Sequence, residues 1–239
     1  MIYKQFVNSL IENATKEYPK RSFHLTELLA FGSEGGAFLA IAKNWGKNPQ
    51  NVVIKIQKNM KANEKDFLNK LIIYQDQYES GNNKQYLPSN LIRVFECFEW
   101  KENNCVLMEV GGQSLFDYIT MKTDLQMEER VKICFEICYP LYFLHQQKLI
   151  HRDIKPENFI TVGEIFKLID FGLIRSSFSQ KKTQQVGNVI SQAPEILENS
   201  SSYTEKVDIW SLGCVFYEVL SGQALLDAPK HNYNFRLNL

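Results

Sequence analysis

The sequence has no excess of positive or negative charge, and it has no long apolar run. Lysine and arginine together number 27, as do aspartate and glutamate, so the formal net charge at pH 7 is zero. Balanced charge removes the broad electrostatic case for a protein that binds nucleic acid or a membrane surface. No apolar run is long enough to cross a bilayer. We therefore expect neither a nucleic acid nor a membrane as a partner.

The five cysteines form neither a disulfide framework nor a zinc-binding pattern. Their number is odd, no two are spaced as Cys-x-x-Cys, and all but Cys105 lie within apolar runs. Such thiols are typical of reduced residues in a protein core. The N-terminal apolar residues recur at helical spacing among polar ones, which is unlike a signal peptide. These features predict a cytoplasmic location, with the nucleus as the alternative.

The chain contains enough apolar material for a packed core. Its 239 residues are 44% hydrophobic and 13% aromatic, which fits one large domain or two small lobes. The pattern predicts an N-terminal helical extension over residues 1–22, with an amphipathic helix at 1–18. A strand-rich part over residues 23–110 and a helix-rich part over residues 111–239 follow.

Hydrophobic periodicity places the main elements of both parts. Strands are predicted at about 24–31, 36–43, 51–57, 91–99 and 104–110. Helices are predicted at 64–78, where Asn63 is the expected N-cap, and at 114–120, 127–147 and 204–220. The long helix at 127–147 is predicted to bury Val131, Cys134, Phe135, Cys138, Leu141, Tyr142 and Leu144.

Four short motifs occur in a fixed order in the helix-rich part. They are His151-Arg152-Asp153-Ile154-Lys155-Pro156-Glu157-Asn158, Asp170-Phe171-Gly172, Ala193-Pro194-Glu195 and Val207-Asp208-Ile209-Trp210-Ser211-Leu212-Gly213. They resemble the catalytic loop, the metal-binding turn, the end of the activation segment and the following helix of the eukaryotic protein kinases. A chance occurrence of all four in this order is improbable.

The resemblance implies an α+β, bilobal fold like that of protein kinases, and it covers roughly residues 23–228. The N-lobe, residues 23–110, is expected to hold a small antiparallel β-sheet and one main helix. The C-lobe, residues 111–239, is expected to be mostly helical. The later helices of the family have no match, so we expect a truncated C-lobe and a partner that covers its exposed apolar residues.

The resemblance also assigns roles within the catalytic loop. Asp153 is expected to accept the proton of a substrate hydroxyl, and Lys155 to neutralise the transferring γ-phosphoryl group. Asn158 and Asp170 are expected to hold Mg²⁺, which prefers hard oxygen ligands. A lysine at position 155 resembles Ser/Thr rather than Tyr kinases. The implied activity is a Ser/Thr protein kinase that uses ATP and Mg²⁺ and acts on protein substrates.

The strand-rich part supplies the residues that resemble the nucleotide site. Lys55 resembles the lysine that pairs with the α- and β-phosphates. The resemblance therefore assigns Lys55 both to the catalytic residues and to the ATP-binding residues. A glycine-rich loop at residues 30–37 resembles the loop that covers the phosphates, although Ala30 and Ala37 depart from the family pattern. The implied ATP-binding set is Ala30, Phe31, Gly32, Ser33, Glu34, Gly35, Gly36, Ala37, Val53, Lys55, Met108, Glu109, Gly111 and Ile160.

Lys70 stands where the family has the helix glutamate that orients the phosphate-binding lysine. A lysine there is expected to repel Lys55, and Glu64 or Asp66 is a substitute in principle. This departure and the short C-lobe keep a second hypothesis open, a pseudokinase that acts as a nucleotide-binding or protein-interaction module. A third is a truncated product that needs a partner to fold.

The activation segment, Asp170 to Glu195, carries candidate regulatory sites. Arg152 resembles the arginine that pairs with a phosphate on this segment in kinases switched by an upstream kinase. Thr183 is the best-placed acceptor and Ser179 the next. Each is equally consistent with an ordinary solvated loop residue.

Overall fold

The computed structural model describes residues 2–12, 21–32, 35–45, 50–81, 87–177, 191–198 and 203–225. The chain divides into two compact units, Met1–Leu87 with Ile92–Val110 and Pro88–Leu91 with Gly111–Leu239. The first unit is built on a sheet and the second is mostly helical, so the α+β class is confirmed. Within the described ranges, no helix is long and apolar enough to cross a membrane.

The first unit contains a six-stranded antiparallel sheet in the order β1-β2-β3-β4-β6-β5. The strands are Leu10–Glu12 (β1), Ser22–Phe31 (β2), Gly36–Lys43 (β3), Gln50–Gln57 (β4), Val94–Trp100 (β5) and Asn103–Met108 (β6). The strands β2 to β6 lie where the alternation of apolar residues predicts them. The turn between β5 and β6 has Lys101 and Glu102 at positive φ, 45° and 61°.

The sheet has one fully packed face. Alternate residues of β3 and β4 point into a core that contains Phe38, Ala40, Ile54 and Ile56, all fully buried. The residues between them, such as Lys55, point to the opposite face. The two-residue period of the strands therefore places the packed core on one face of the sheet and Lys55 on the other.

Residues 2–12 cover the packed face, so the predicted helix over residues 1–18 is wrong for this part. Ile2–Phe6 is a 3₁₀ helix, and Asn8 has a positive φ of 68°, which ends it. Strand β1 then pairs Ile11 with Phe23. The ring of Phe6 lies 5.3 Å from Trp100 and 6.3 Å from Phe38. Burial against the sheet outweighs the local helical periodicity of this segment.

Helix α1, Ala62–Glu79, packs against β5. It begins before Asn63, and the residue at its N-cap, Lys61, makes no side-chain capping bond, so the predicted Asn63 cap is wrong. The buried Gln75 side chain donates to Ile92 O at 2.9 Å and accepts from Val94 N at 3.0 Å. Gln75 thereby fixes α1 to the start of β5.

The second unit combines helices with two short hairpins. Its elements are α2 (Leu115–Met121), α3 (Met127–Gln146), β7 (Leu149–Ile150), β8 (Phe159–Val162), β9 (Ile165–Leu168), β10 (Arg175–Ser176), α4 (Pro194–Leu197) and α5 (Lys206–Ser221). Strand β8 pairs with β9, and β7 with β10, both antiparallel. Helix α3 packs against β9 and α5, which places the loop after β7 in the interior of this unit.

The buried side of α3 differs from the predicted one. Phe135 is 64% exposed, Tyr142 57% and Val131 40%, whereas Cys134, Leu141 and Leu144 are buried as predicted. The buried side instead contains Ile133, Ile137 and Phe143, together with Glu136, whose carboxylate accepts the backbone N–H of Phe166 at 2.9 Å. A polar residue thus faces inward, and the apolar residues on the far side of the helix face outward.

We expect Ile11→Ala to destabilise the protein and Leu10→Ala to have little effect. Ile11 is fully buried, whereas its neighbour Leu10 is 46% exposed. Truncating a buried isoleucine to alanine typically costs about 2–5 kcal/mol. Urea denaturation of both variants measures the difference. Equal unfolding free energies would contradict the role assigned to β1.

Candidate active site

The loop after β7 is held by one buried carboxylate. Asp208 on α5 is fully buried, and its Oδ2 accepts the backbone N–H of His151 while its Oδ1 accepts that of Arg152, both at 2.8 Å. The Nε2 of His145 on α3 lies 2.9 Å from Asp208 Oδ2. Arg152 has a positive φ of 70°, a conformation that costs a non-glycine residue about 1–3 kcal/mol. The Asp208 carboxylate holds the loop in this strained form.

Asp153 lies at the centre of a polar cluster. Its Oδ2 is 2.8 Å from Lys155 Nζ and accepts from Asn158 Nδ2 at 2.9 Å. Asn158 Nδ2 also donates to the carbonyl oxygen of Asp153 at 2.7 Å. The side chains of Asp153 and Lys155 remain partly exposed. The structure therefore brings together three residues that the sequence assigns to catalysis and metal binding.

Asn158 and Asp170 fit a metal ion whose other ligands are phosphate oxygens and water rather than protein side chains. Asn158 uses its amide N–H groups on Asp153, which directs its oxygen away from that contact. Asp170 Oδ1 accepts the N–H of Gly172 at 3.1 Å. Among the described residues, no group of three or more His, Cys, Asp or Glu side chains could hold a metal. Mg²⁺ commonly binds through one or two protein ligands together with phosphates and water.

His151 is fully buried next to the ring of Phe171. The ring centroids are 6.0 Å apart and the planes are inclined by 73°. Burial lowers the pKa of His151 below its ordinary value of 6.5, although the carboxylates of Asp208, Asp170 and Asp153 act in the opposite direction. A neutral imidazole is consistent with its Nδ1, which accepts the N–H of Asp153 at 3.3 Å.

In the first unit, the predicted nucleotide residues share one face of the sheet. Ala37 of β3 lies opposite Lys55 of β4, and Val53 lies opposite Met108 of β6. Cross-strand partners point to the same side of a sheet, and so do residues two apart along a strand. The side chains of Ala37, Val53 and Met108 therefore lie on the same face as Lys55, opposite the packed core.

The described ends of the glycine-rich loop, Gly32 and Gly35, lie close to each other, and Gly35 lies close to the end of β4. Gly32 N–H donates to Gly35 O at 2.9 Å. A Cβ on Gly35 would lie 2.4 Å from the carbonyl oxygen of Ile56, so no other residue fits there. Ala30 and Phe31 end β2, with the Phe31 ring exposed, and Gly36 begins β3. Ser33 and Glu34 lie outside the described residues.

Glu109, Gly111 and Ile160 are the remaining predicted nucleotide residues. The N–H of Glu109 donates to Arg93 O at 3.0 Å, so the carbonyl oxygen is the backbone group that Glu109 can offer to a ligand. In the second unit, a Cβ on Gly111 would lie 2.1 Å from Ile160 Cδ1. The absence of a side chain at Gly111 thus lets Ile160 approach the backbone.

Helix α1 buries a different acid from the one that the family pattern would place. Lys70 is exposed and so is Asp66. Glu64 is buried and accepts from Gln57 Nε2 at 3.0 Å. Gln57 points to the same sheet face as Lys55, because the two are separated by one residue of β4. The contact of Gln57 with Glu64 was missed from the sequence, although strand alternation places Gln57 on that face.

Thr183 and Ser179 lie outside the described residues, so their predicted regulation stays a prediction. The end of the activation segment is described from Ser191 onward. Ser191 O accepts from Ser211 Oγ of α5 at 2.7 Å. Ala193 is buried with Ile150 and Val207. The segment therefore rejoins the core beside the catalytic loop.

We expect the His151 imidazole to make stability fall at acid pH. The unfolded chain binds a proton at this residue below a pH of about 6.5, whereas the folded chain, with a lowered pKa, does not. The folded state therefore loses stability as the pH falls from 7 towards 5. Denaturation of the wild type and His151→Asn across this range measures the effect. A difference between them that does not change with pH would contradict it.

Comparison with known proteins gives a consistent assignment. Residues 23–239 match the family model described as a protein kinase domain. The MAPK/MAK/MRK overlapping kinase of Mus musculus is 34% identical over 140 residues, which is 57% of this chain and 33% of that protein. The serine/threonine-protein kinase TIO of Arabidopsis thaliana is 29% identical over 204 residues, 84% of this chain and 15% of the relative.

The serine/threonine-protein kinase ICK of Mus musculus is 32% identical over 139 residues, 57% of this chain and 22% of that protein. Each alignment thus spans about a third or less of the relative's own length. The family model, in contrast, covers most of this chain, and its match includes every residue of the Asp153 cluster. The chain therefore belongs to the protein kinase domain family.

Proposed function

We propose that this protein is a serine/threonine protein kinase that transfers the γ-phosphoryl group of ATP to protein hydroxyls. The observation that carries the proposal is the Asp153 cluster, in which Lys155 Nζ and Asn158 Nδ2 both contact Asp153 Oδ2. Phosphoryl transfer mainly requires that a nucleotide, a metal and a hydroxyl are positioned and that charge is neutralised. The cluster offers a base, a cation and a metal ligand for these tasks.

The Asp153 carboxylate is the group that orients the substrate hydroxyl and accepts its proton. Lys155, an ammonium beside that carboxylate, would stabilise charge on the transferring group. Asn158 and Asp170 would hold Mg²⁺, which neutralises phosphate charge when it is bound. Lys55 would bind the nucleotide phosphates. Ala37, Val53 and Met108 would supply an apolar surface for the adenine ring of the nucleotide.

The choice of serine and threonine as acceptors depends on Lys155 and on the relatives. Two of the compared relatives carry serine/threonine-protein kinase in their names. Protein substrates, and an upstream kinase that acts on Thr183 or Ser179, are part of the same proposal. We also propose a cytoplasmic or nuclear location, because all five cysteines are free thiols.

One observation favours a second candidate function, a pseudokinase that binds nucleotide or a protein. Lys70, a cation, occupies the position on α1 where the family has a glutamate, and its side chain is exposed. A phosphotransfer assay on a generic Ser/Thr substrate separates the two functions. Thermal stabilisation by Mg-ATP, without transfer, would favour the pseudokinase.

We expect Asp153→Asn to lower phosphotransfer about 10²-fold or more while Mg-ATP binding persists, because the base is lost and the metal ligands remain. Transfer of radiolabelled phosphate and the Mg-ATP thermal shift measure the two properties. Asp66→Asn, an exposed acid on α1, is the matched control and should retain activity. Full activity in Asp153→Asn would refute the catalytic assignment.

We expect Lys70→Glu to raise the rate of phosphotransfer if the residue at this position limits the enzyme. The substitution removes a cation from the position where the family has the partner of the phosphate-binding lysine, and it supplies a carboxylate. Each ~1.4 kcal/mol gained in the transition state raises the rate tenfold. Initial rates at saturating Mg-ATP measure the change, with Lys65→Glu on an exposed position of α1 as the control. An unchanged or lower rate would show that Lys70 does not limit the enzyme.

A further inference from the structure

Two buried arginines share one tyrosine oxygen in the second unit. Arg152 is 9% exposed and Arg175 is 8% exposed. Arg152 Nη1 donates to Tyr203 Oη at 3.0 Å, and Arg175 Nη1 donates to the same oxygen at 3.2 Å. A phenol oxygen can accept such bonds, whereas two guanidinium groups can only donate. Tyr203 is thus an acceptor common to both cations.

Arg152 connects the catalytic loop to three parts of the unit. Its backbone N–H donates to Asp208, and its Nε donates to the carbonyl oxygen of Leu173 at 2.8 Å. Leu173 directly follows the Asp170-Phe171-Gly172 turn, and Arg152 directly precedes Asp153. The Arg152 side chain therefore connects the chain next to Asp153 with the chain next to the Asp170-Phe171-Gly172 turn.

The chain segment that contains Arg175 is poor in negative charge. No acidic residue occurs between Asp170 and Glu195, although Arg175, Lys181 and Lys182 do. Among the described residues, no carboxylate forms an ion pair with the Arg152 guanidinium. The Tyr203 oxygen thus gives the buried Arg152 guanidinium a hydrogen-bond acceptor.

Tyr203 is held in place independently of this oxygen. Its ring packs against the buried cluster of Ile150, Ala193 and Val207. The guanidinium carbon of Arg175 lies 5.4 Å from the ring centroid, and Arg175 is the β-pairing partner of Ile150. Packing of the ring against the apolar cluster thus restricts where the oxygen can lie.

We propose that Tyr203 is a positioning residue for the catalytic loop. Its oxygen binds Arg152 and Arg175 together and thereby keeps Asp153 in place when the activation segment carries no phosphate. The inference rests on the proposed kinase activity, and it predicts basal transfer by the unphosphorylated chain.

The test is Tyr203→Phe in phosphatase-treated protein, a change that removes the oxygen and keeps the ring. At saturating Mg-ATP, kcat should fall about tenfold, because two charge-assisted hydrogen bonds lose their acceptor. The KM for ATP should stay unchanged, since neither arginine belongs to the nucleotide-binding set. Tyr217→Phe, at an exposed position of α5, is the matched control and should have wild-type kcat.

Chemical rescue distinguishes the oxygen's role from ring packing. In Tyr203→Phe the paired guanidinium groups lack that acceptor, so inorganic phosphate or sulfate should raise its kcat towards the wild-type value. The same anions should raise its melting temperature, and neither effect should occur in the wild type. A chloride series at equal ionic strength controls for screening.

The outcomes separate this inference from the proposed function. An active wild type with unchanged kcat in Tyr203→Phe, or anion effects equal in both proteins, would overturn the role of Tyr203. A wild type without any phosphotransfer would overturn the proposed function and the positioning role that rests on it. Anion stabilisation confined to Tyr203→Phe would still support Tyr203 as the shared acceptor.

Discussion

The hydrogen bonds that the Asp208 carboxylate accepts are the constraint on which the second unit depends. A buried carboxylate is costly unless donors satisfy it, and here the backbone N–H groups of His151 and Arg152 do so. Those bonds hold Arg152 at a positive φ. The backbone of Asp153, the next residue, is positioned as a result. His145 joins α3 to the same carboxylate. The side chain of Asp208 thus links α5, α3 and the catalytic loop.

In the first unit, a single sheet combines an apolar packed face with a face that carries polar side chains. Aromatic and aliphatic residues fill one face, and residues 2–12 cover it. The other face carries Lys55 between small or flexible apolar neighbours. Because the packed face holds a large buried apolar cluster, the polar side chain of Lys55 can lie on the other face.

The sequence predicts much of this arrangement, and the exceptions share a cause. Strand alternation locates β2 to β6, and the motifs bring Asp153, Lys155 and Asn158 together as expected. Periodicity fails at α3, because it cannot show that Glu136 has a buried backbone partner in Phe166. It fails at β1 for a similar reason, since only pairing with β2 reveals a strand there. Tyr203 belongs to no motif, so its two arginine contacts appear only in the folded chain.

The short strand β1 also changes the exposed edge of the sheet. Strand β2 is ten residues long, and an uncovered strand of that length offers backbone groups that can pair with another chain. β1 pairs with its first part, and the N–H of Leu25 donates to Ser9 O just beyond. Residues 8–12 therefore shorten the part of β2 whose backbone groups could pair with another chain, in addition to covering the core.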